Sequence, residues 1–275
     1  MSIKNMSRPL HGLAIGISIS EAEDLQRYGL IPGDVNSVTV ELCRRLIALG
    51  AGVVLGHQWR PGGVMEAVAR LARTYQGEIS ETIVHNFLAW PDRAALSDAD
   101  RGQLGKLVEI HNGQDVRAYD LQDNRAAALR QMRIEMAQTS HASIGLSGRL
   151  RPAQGASPEW VPGLVEEVAL MLDQPTPRPV YLSRMMGGAA AFLVDLIDQR
   201  DVQADLHGPI RLSRYVHQLS RIRKENLAKI CGLLPGELTE LFNAHNVDTV
   251  ISLTAKGLGR LLRDGQLKTG NRVSY

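Results

Sequence analysis

The chain has 275 residues, 44% hydrophobic and 22% charged, with a net charge of only +2. That length suits one large α/β domain, alone or with a helical appendage, and the near balance of charge excludes nucleic-acid binding through the overall field of the molecule. No apolar run reaches the length of a membrane span, and the polar opening MSIKNMSRPL is unlike a signal peptide, so a cytoplasmic protein is expected.

In chain order, a first strand is predicted over Leu13–Ile17, followed by an irregular segment through Asp34 and a helix over Val38–Leu49 that Gly50 ends. Cys43 falls in that helix and reads as a buried apolar residue. Neither it nor Cys231 has metal spacing, so no metal or cofactor is expected. A strand follows at Val53–Leu55, then the loop HQWRPGG and a helix over 64–75. Residues 82–90 predict a third strand, 91–106 a solvated insertion and LVEIHN a fourth strand. A helix over Asn124–Ala137 carries Arg125, Arg130 and Arg133. HASIGLSG and RPVYLS are strands, followed by helices over Leu164–Leu172 and behind Gly187-Gly188.

Short apolar strands alternating with helices predict an α/β fold, a Rossmann-like doubly wound parallel sheet, over residues 1–205. Residues 206–275 lack strand patterning and read as two or three helices packed on the core or at an oligomer contact. Residues 211–275 hold 11 Lys and Arg against 5 Asp and Glu. Aromatic residues are scarce there, which favours a solvated face or an acidic partner over nucleic acid.

Four predicted strands end in small residues that open into loops or helices: at Ser18 and Ser20, from Gly56 to Gly63, from Gly145 to Arg149, and from Ser183 to Gly188. In a parallel sheet these ends share one edge, where ligands bind. The candidate ligand residues are Ser18, Ser20, Glu21, Arg60, Gly62, Gly63, Gly148, Arg149, Pro162, Gly163, Gly187 and Gly188. Glycine and free helix N–H groups would approach an anion, and Arg60 and Arg149 would grip a phosphate or carboxylate. Glu166 and Glu167 could reach a ribose hydroxyl, or act as acid or base if the protein is an enzyme. Equally, acidic residues in a first turn are favourable with no ligand at all.

These residues, in this order, resemble the SLOG superfamily, the Rossmann-like group containing the Lonely Guy phosphoribohydrolases, the DprA/Smf proteins and the molybdenum-cofactor carriers. The resemblance rests on Ser18-Ile19-Ser20-Glu21, Asp24-Leu25 through Gly29-Leu30, Arg60 to Gly63, Ser147-Gly148-Arg149, Pro162-Gly163 to Glu167, and Pro179 to Leu182 with Gly187-Gly188. It runs over nearly the whole chain and is nearest to the bacterial stand-alone or TIR-associated branch, with no fused effector expected. The enzymatic Lonely Guy pattern P-G-G-x-G-T-x-x-E is absent, because Leu164-Val165-Glu166-Glu167 follows Pro162-Gly163.

The resemblance implies binding or sensing of a nucleotide-derived, phosphorylated or ADP-ribose-like molecule in signalling or antiphage defence. It also implies a homo-oligomer, and action beside a TIR-type or nuclease effector. Two alternatives stay open: an enzyme cleaving a nucleotide N-glycosidic bond, and a ligand-free scaffold acting through partner contacts.

Overall fold

The computed structural model describes residues 8–56, 62–75, 83–89, 97, 99, 108–112, 121–156, 158–200 and 210–269. Strands β1 (Ala14–Ser18), β2 (Gly52–Leu55), β3 (Val84–Leu88), β4 (Val108–Asn112), β5 (Ala142–Gly145) and β6 (Val180–Leu182) form one sheet in the order β4-β3-β2-β1-β5-β6. Every pairing is parallel, with Ile15 opposite both Val53 and Ala142. Helices cover a sheet of this kind on both sides, which is why its central strands are apolar almost without interruption. The expected α/β, Rossmann-like fold is what forms.

Helix α1 (Pro32–Ala48) starts earlier than the apolar periodicity suggested. Pro32 has the φ of a first helical turn, and Asp34 accepts from the Ile31 N–H at 2.8 Å, so the segment read as irregular contains the helix start. A short 3₁₀ turn over Leu25–Tyr28 occupies four more of its residues. Helices α2 (Val64–Thr74), α3 (Leu121–Thr139), α4 (Gly163–Leu172) and α5 (Gly188–Ile197) complete the alternation.

Among the described residues the tail holds four helices where two or three were expected: α6 (Ile210–Ser220), α7 (Lys224–Ile230), α8 (Pro235–Phe242) and α9 (Val247–Arg263). Gly232 and Pro235 break what reads as one run, because glycine leaves the helix at positive φ and proline starts a new one. A single buried cluster runs from Leu10 through the sheet to Leu238, Phe242 and Leu258. The expected insertion over 91–106 lies almost wholly outside the described residues, as does the expected boundary near residue 205. Among the described residues no helix is long and apolar enough to cross a membrane.

Candidate functional site

The strand order reverses at β1 and β5, the point where open parallel sheets bind ligands beyond their strand ends. A cavity of about 710 Å³ opens there. Its floor and rim come from Ser18 to Glu21 after β1, Gly63 and Val64 at the start of α2, Leu88 and Ala89 after β3, Arg149 after β5, and Gly163, Leu164 and Glu167 on α4. One wall is a face of α3, whose Arg125, Leu129, Met132, Arg133 and Met136 follow helical spacing. Asn36 of α1 and Trp160 also face the space.

Ser18, Ser20, Glu21, Gly63, Arg149, Gly163 and Glu167, spread over 150 positions of chain, therefore meet in one cleft. Gly62, Gly148 and Pro162 neighbour lining residues in sequence without lining the cavity themselves. The Gly62 N–H is already used, donating to Glu66 Oε2 at 2.6 Å. Arg60 lies outside the described residues.

Two of the expected positions are placed away from the cleft. Gly187 and Gly188 do not line the cavity: the Gly188 N–H donates to Asp24 Oδ1 at 2.9 Å, and its φ of +57° puts it in the left-handed region. A Cβ on Gly188 would lie 2.2 Å from the Gly148 carbonyl oxygen, so the glycine is needed for chain packing. Glu23 completes this stitching by accepting from the Leu150 and Arg151 N–H groups at 3.1 and 3.0 Å. The acidic residues of the segment after β1 thus hold the loops after β5 and β6 in place.

Glu166 is the second of these. It is fully buried and turned from the cleft into a cluster of cations. Its Oε2 lies 2.6 Å from Arg133 Nη1, and its Oε1 lies 3.5 Å from both Arg130 Nη1 and Arg211 Nε. Tyr215 donates its hydroxyl to the same Oε1 at 3.2 Å. A carboxylate so engaged holds its neighbours and is not free to serve a ligand.

Glu167 faces the cleft instead. Burial pushes its carboxyl up from the ordinary 4.5, opposed by the Arg133 charge and a hydrogen bond from Ser18. The group is therefore poised to hold or accept a proton, the property an acid–base residue needs. Arg133, missed as a site residue from sequence, is about nine-tenths buried, and its Nε has no hydrogen-bond partner. That nitrogen stands 3.8 Å from Glu167 Oε1, and a Cβ on Gly163 would lie 3.1 Å from Arg133 Nη2. The guanidinium thus lies against the first residue of α4, where the first-turn N–H groups have no side-chain cap. The missed signal was Arg125 and Arg133 falling in register with Leu129, Met132 and Met136 on one helix face. Cations in line with an apolar stripe are placed where that stripe meets a cavity.

The chemistry on offer is an anion site, made of a bare helix N-terminus, Arg133 and Arg149, beside a carboxylate and two serine hydroxyls, with an apolar wall of Met132, Met136 and Leu129. Among the described residues no group of three or more His, Cys, Asp or Glu is placed to hold a metal ion.

A parallel sheet with its crevice at the strand reversal defines a Rossmann-like protein. The model of the SLOG cluster2 family matches residues 9–214, and the chain belongs to that family. Membership suggests a nucleotide-related function. No curated protein matches the chain.

Proposed function

We propose that the protein binds a phosphorylated, nucleotide-derived molecule at the carboxyl edge of the sheet. The observation that carries this is the buried, unpartnered Arg133 Nε beside the uncapped N-terminus of α4. A buried N–H without a hydrogen bond is costly, and an anion here would engage the side of the guanidinium that Glu166 leaves open together with the free first-turn N–H groups. Arg149 would add a second cation, Ser18 and Ser20 would donate to phosphate oxygens, and Trp160 or the methionine wall would receive the base. Family membership supports a nucleotide-related ligand. Signalling as a homo-oligomer beside a TIR-type or nuclease effector is part of the same proposal and rests on the resemblance alone. Mass spectrometry of small molecules released from the purified protein tests the ligand class. A phosphorylated nucleotide derivative is expected, and a cleft filled by a phosphate-free compound would overturn the reading.

A second reading is favoured by Glu167, whose raised affinity for protons and position over the cleft suit cleavage of an N-glycosidic bond. The carboxylate would stabilise the developing positive charge on the ribose or take a proton from the attacking water. Incubation with AMP, NAD and related nucleotides, followed by assay of free base, separates the two. Turnover that disappears in Glu167→Gln selects the enzyme; tight binding without release of base selects the sensor.

A further inference from the structure

We infer that α7 and α8 form a helix-turn-helix that lays α8 in the major groove of duplex DNA. The two helices are joined by four residues, Cys231 to Leu234, the connection length of that motif. Gly232 has φ +64°, and a Cβ there would lie 2.4 Å from the Gly257 carbonyl oxygen, so the turn is locked against α9. Arg260 donates to the Gly232 carbonyl at 3.2 Å and pairs with Glu237, whose carboxylate also caps the Leu234 N–H at 2.9 Å.

The inward face of the pair is fully built. Leu227, Ala228, Leu238, Leu241 and Phe242 are buried, which leaves α8 free to present its other face. Pro235, Gly236, Thr239 and Glu240 form that face at i, i+1, i+4 and i+5, and all four are exposed. Leu234, 59% exposed at the entry to α8, is one of the three large exposed hydrophobic residues among those described. Against a base-pair edge such a side chain meets a thymine methyl, Thr239, whose hydroxyl donates to the Pro235 carbonyl at 2.9 Å, keeps its oxygen to accept from a base amino group, and Glu240 accepts from a cytosine amino group.

α8 itself carries two carboxylates and no cation, so phosphate contacts fall to the cations of neighbouring segments. Lys256, half exposed, stands 2.6 Å from Glu237 at the start of α8, and two cations share that carboxylate. Arg221 and Arg223 lead into α7 and Lys229 lies in its last turn, all exposed. The scarcity of aromatic residues does not weigh against this partner, because stacking serves single strands, whereas a groove-reading helix needs edge contacts and phosphate cations. The family match ends at residue 214, so this unit is additional to the SLOG core.

Selection of bound sequences from a random duplex library by the full-length protein, followed by fluorescence anisotropy, tests the inference. Enrichment of a defined short motif is expected, with affinity falling on the order of 10-fold or more between 50 and 200 mM salt. Thr239→Ala/Glu240→Ala should erase the motif preference while weak salt-sensitive binding persists. Arg221→Ala/Arg223→Ala should weaken every duplex alike and flatten the salt slope. All four positions are exposed, and unchanged thermal melting confirms that the variants fold. No duplex binding at low salt, a preference for single strands or RNA, or a motif preference untouched by the α8 substitutions would each overturn it.

Discussion

Glu166 Oε2 lies 2.6 Å from Arg133 Nη1, while the next residue, Glu167, stands 3.8 Å from the other side of the same guanidinium. Adjacent carboxylates on α4 therefore divide their work. Glu166, beneath the cleft, fixes the arginine; Glu167, within it, shares the open space with whatever binds. Because α6 supplies Arg211 and Tyr215 to Glu166, the first tail helix helps to aim a cleft residue without touching the cleft.

Glu166→Gln should be strongly destabilising. Removing the charge takes the shared counter-ion from Arg130 and Arg211 and leaves Arg133 only its longer contact with Glu167, and breaking a buried pair costs about 3–5 kcal/mol. Denaturant titration reads this as a lower midpoint at unchanged slope.

Glu167→Gln should do the opposite at neutral pH. The folded state raises this carboxyl above its ordinary 4.5, so the folded chain binds the proton more tightly than the unfolded chain. The stability it contributes is present below pH 4.5 and is lost as pH rises through the folded value. The glutamine variant escapes that loss, and its melting temperature should exceed the wild type's by a margin that grows from about pH 4.5 upward. Melting curves across pH check the sign; a margin that shrinks with rising pH would contradict it. The same variant should lose ligand contact or turnover, a stability cost retained for function.

Two glycines distinguish the site from its scaffold. Gly163→Ala places a methyl 3.1 Å from Arg133 Nη2 and should displace the guanidinium, weakening ligand affinity with a small effect on stability. Gly188→Ala forces a side chain at φ +57° into the Gly148 carbonyl and should cost at least about 1–3 kcal/mol of stability. Denaturation and binding measured on both variants should rank them oppositely.

Much of this was legible in the sequence. Every described strand, and the body of each described core helix, arises from its apolar period and punctuation, and the serine and glycine strand ends located the cleft edge. What stayed hidden depended on contacts between distant segments. Glu166 and Glu167 look equivalent as neighbours in a first turn, and only the approach of α3 and α6 assigns one to a buried ion cluster. Gly187-Gly188 reads as a ligand turn until the Asp24 carboxylate is seen to take the amide. Arg133 was obscured by lying mid-helix, with no turn motif to mark it. The helix-turn-helix joint is written in Gly232 and Pro235, yet a basic, strandless tail gives no hint of which face stays open.

Isothermal titration of the wild type and Arg133→Ala with AMP, NAD, ADP-ribose and cyclic ADP-ribose tests the central claim most directly. At least one phosphorylated compound should bind the wild type, and the loss of one charged hydrogen bond should weaken it by about 1.5–3 kcal/mol, roughly 10- to 150-fold. A folded wild type that binds none of them, or an Arg133→Ala variant that binds equally well, would contradict it.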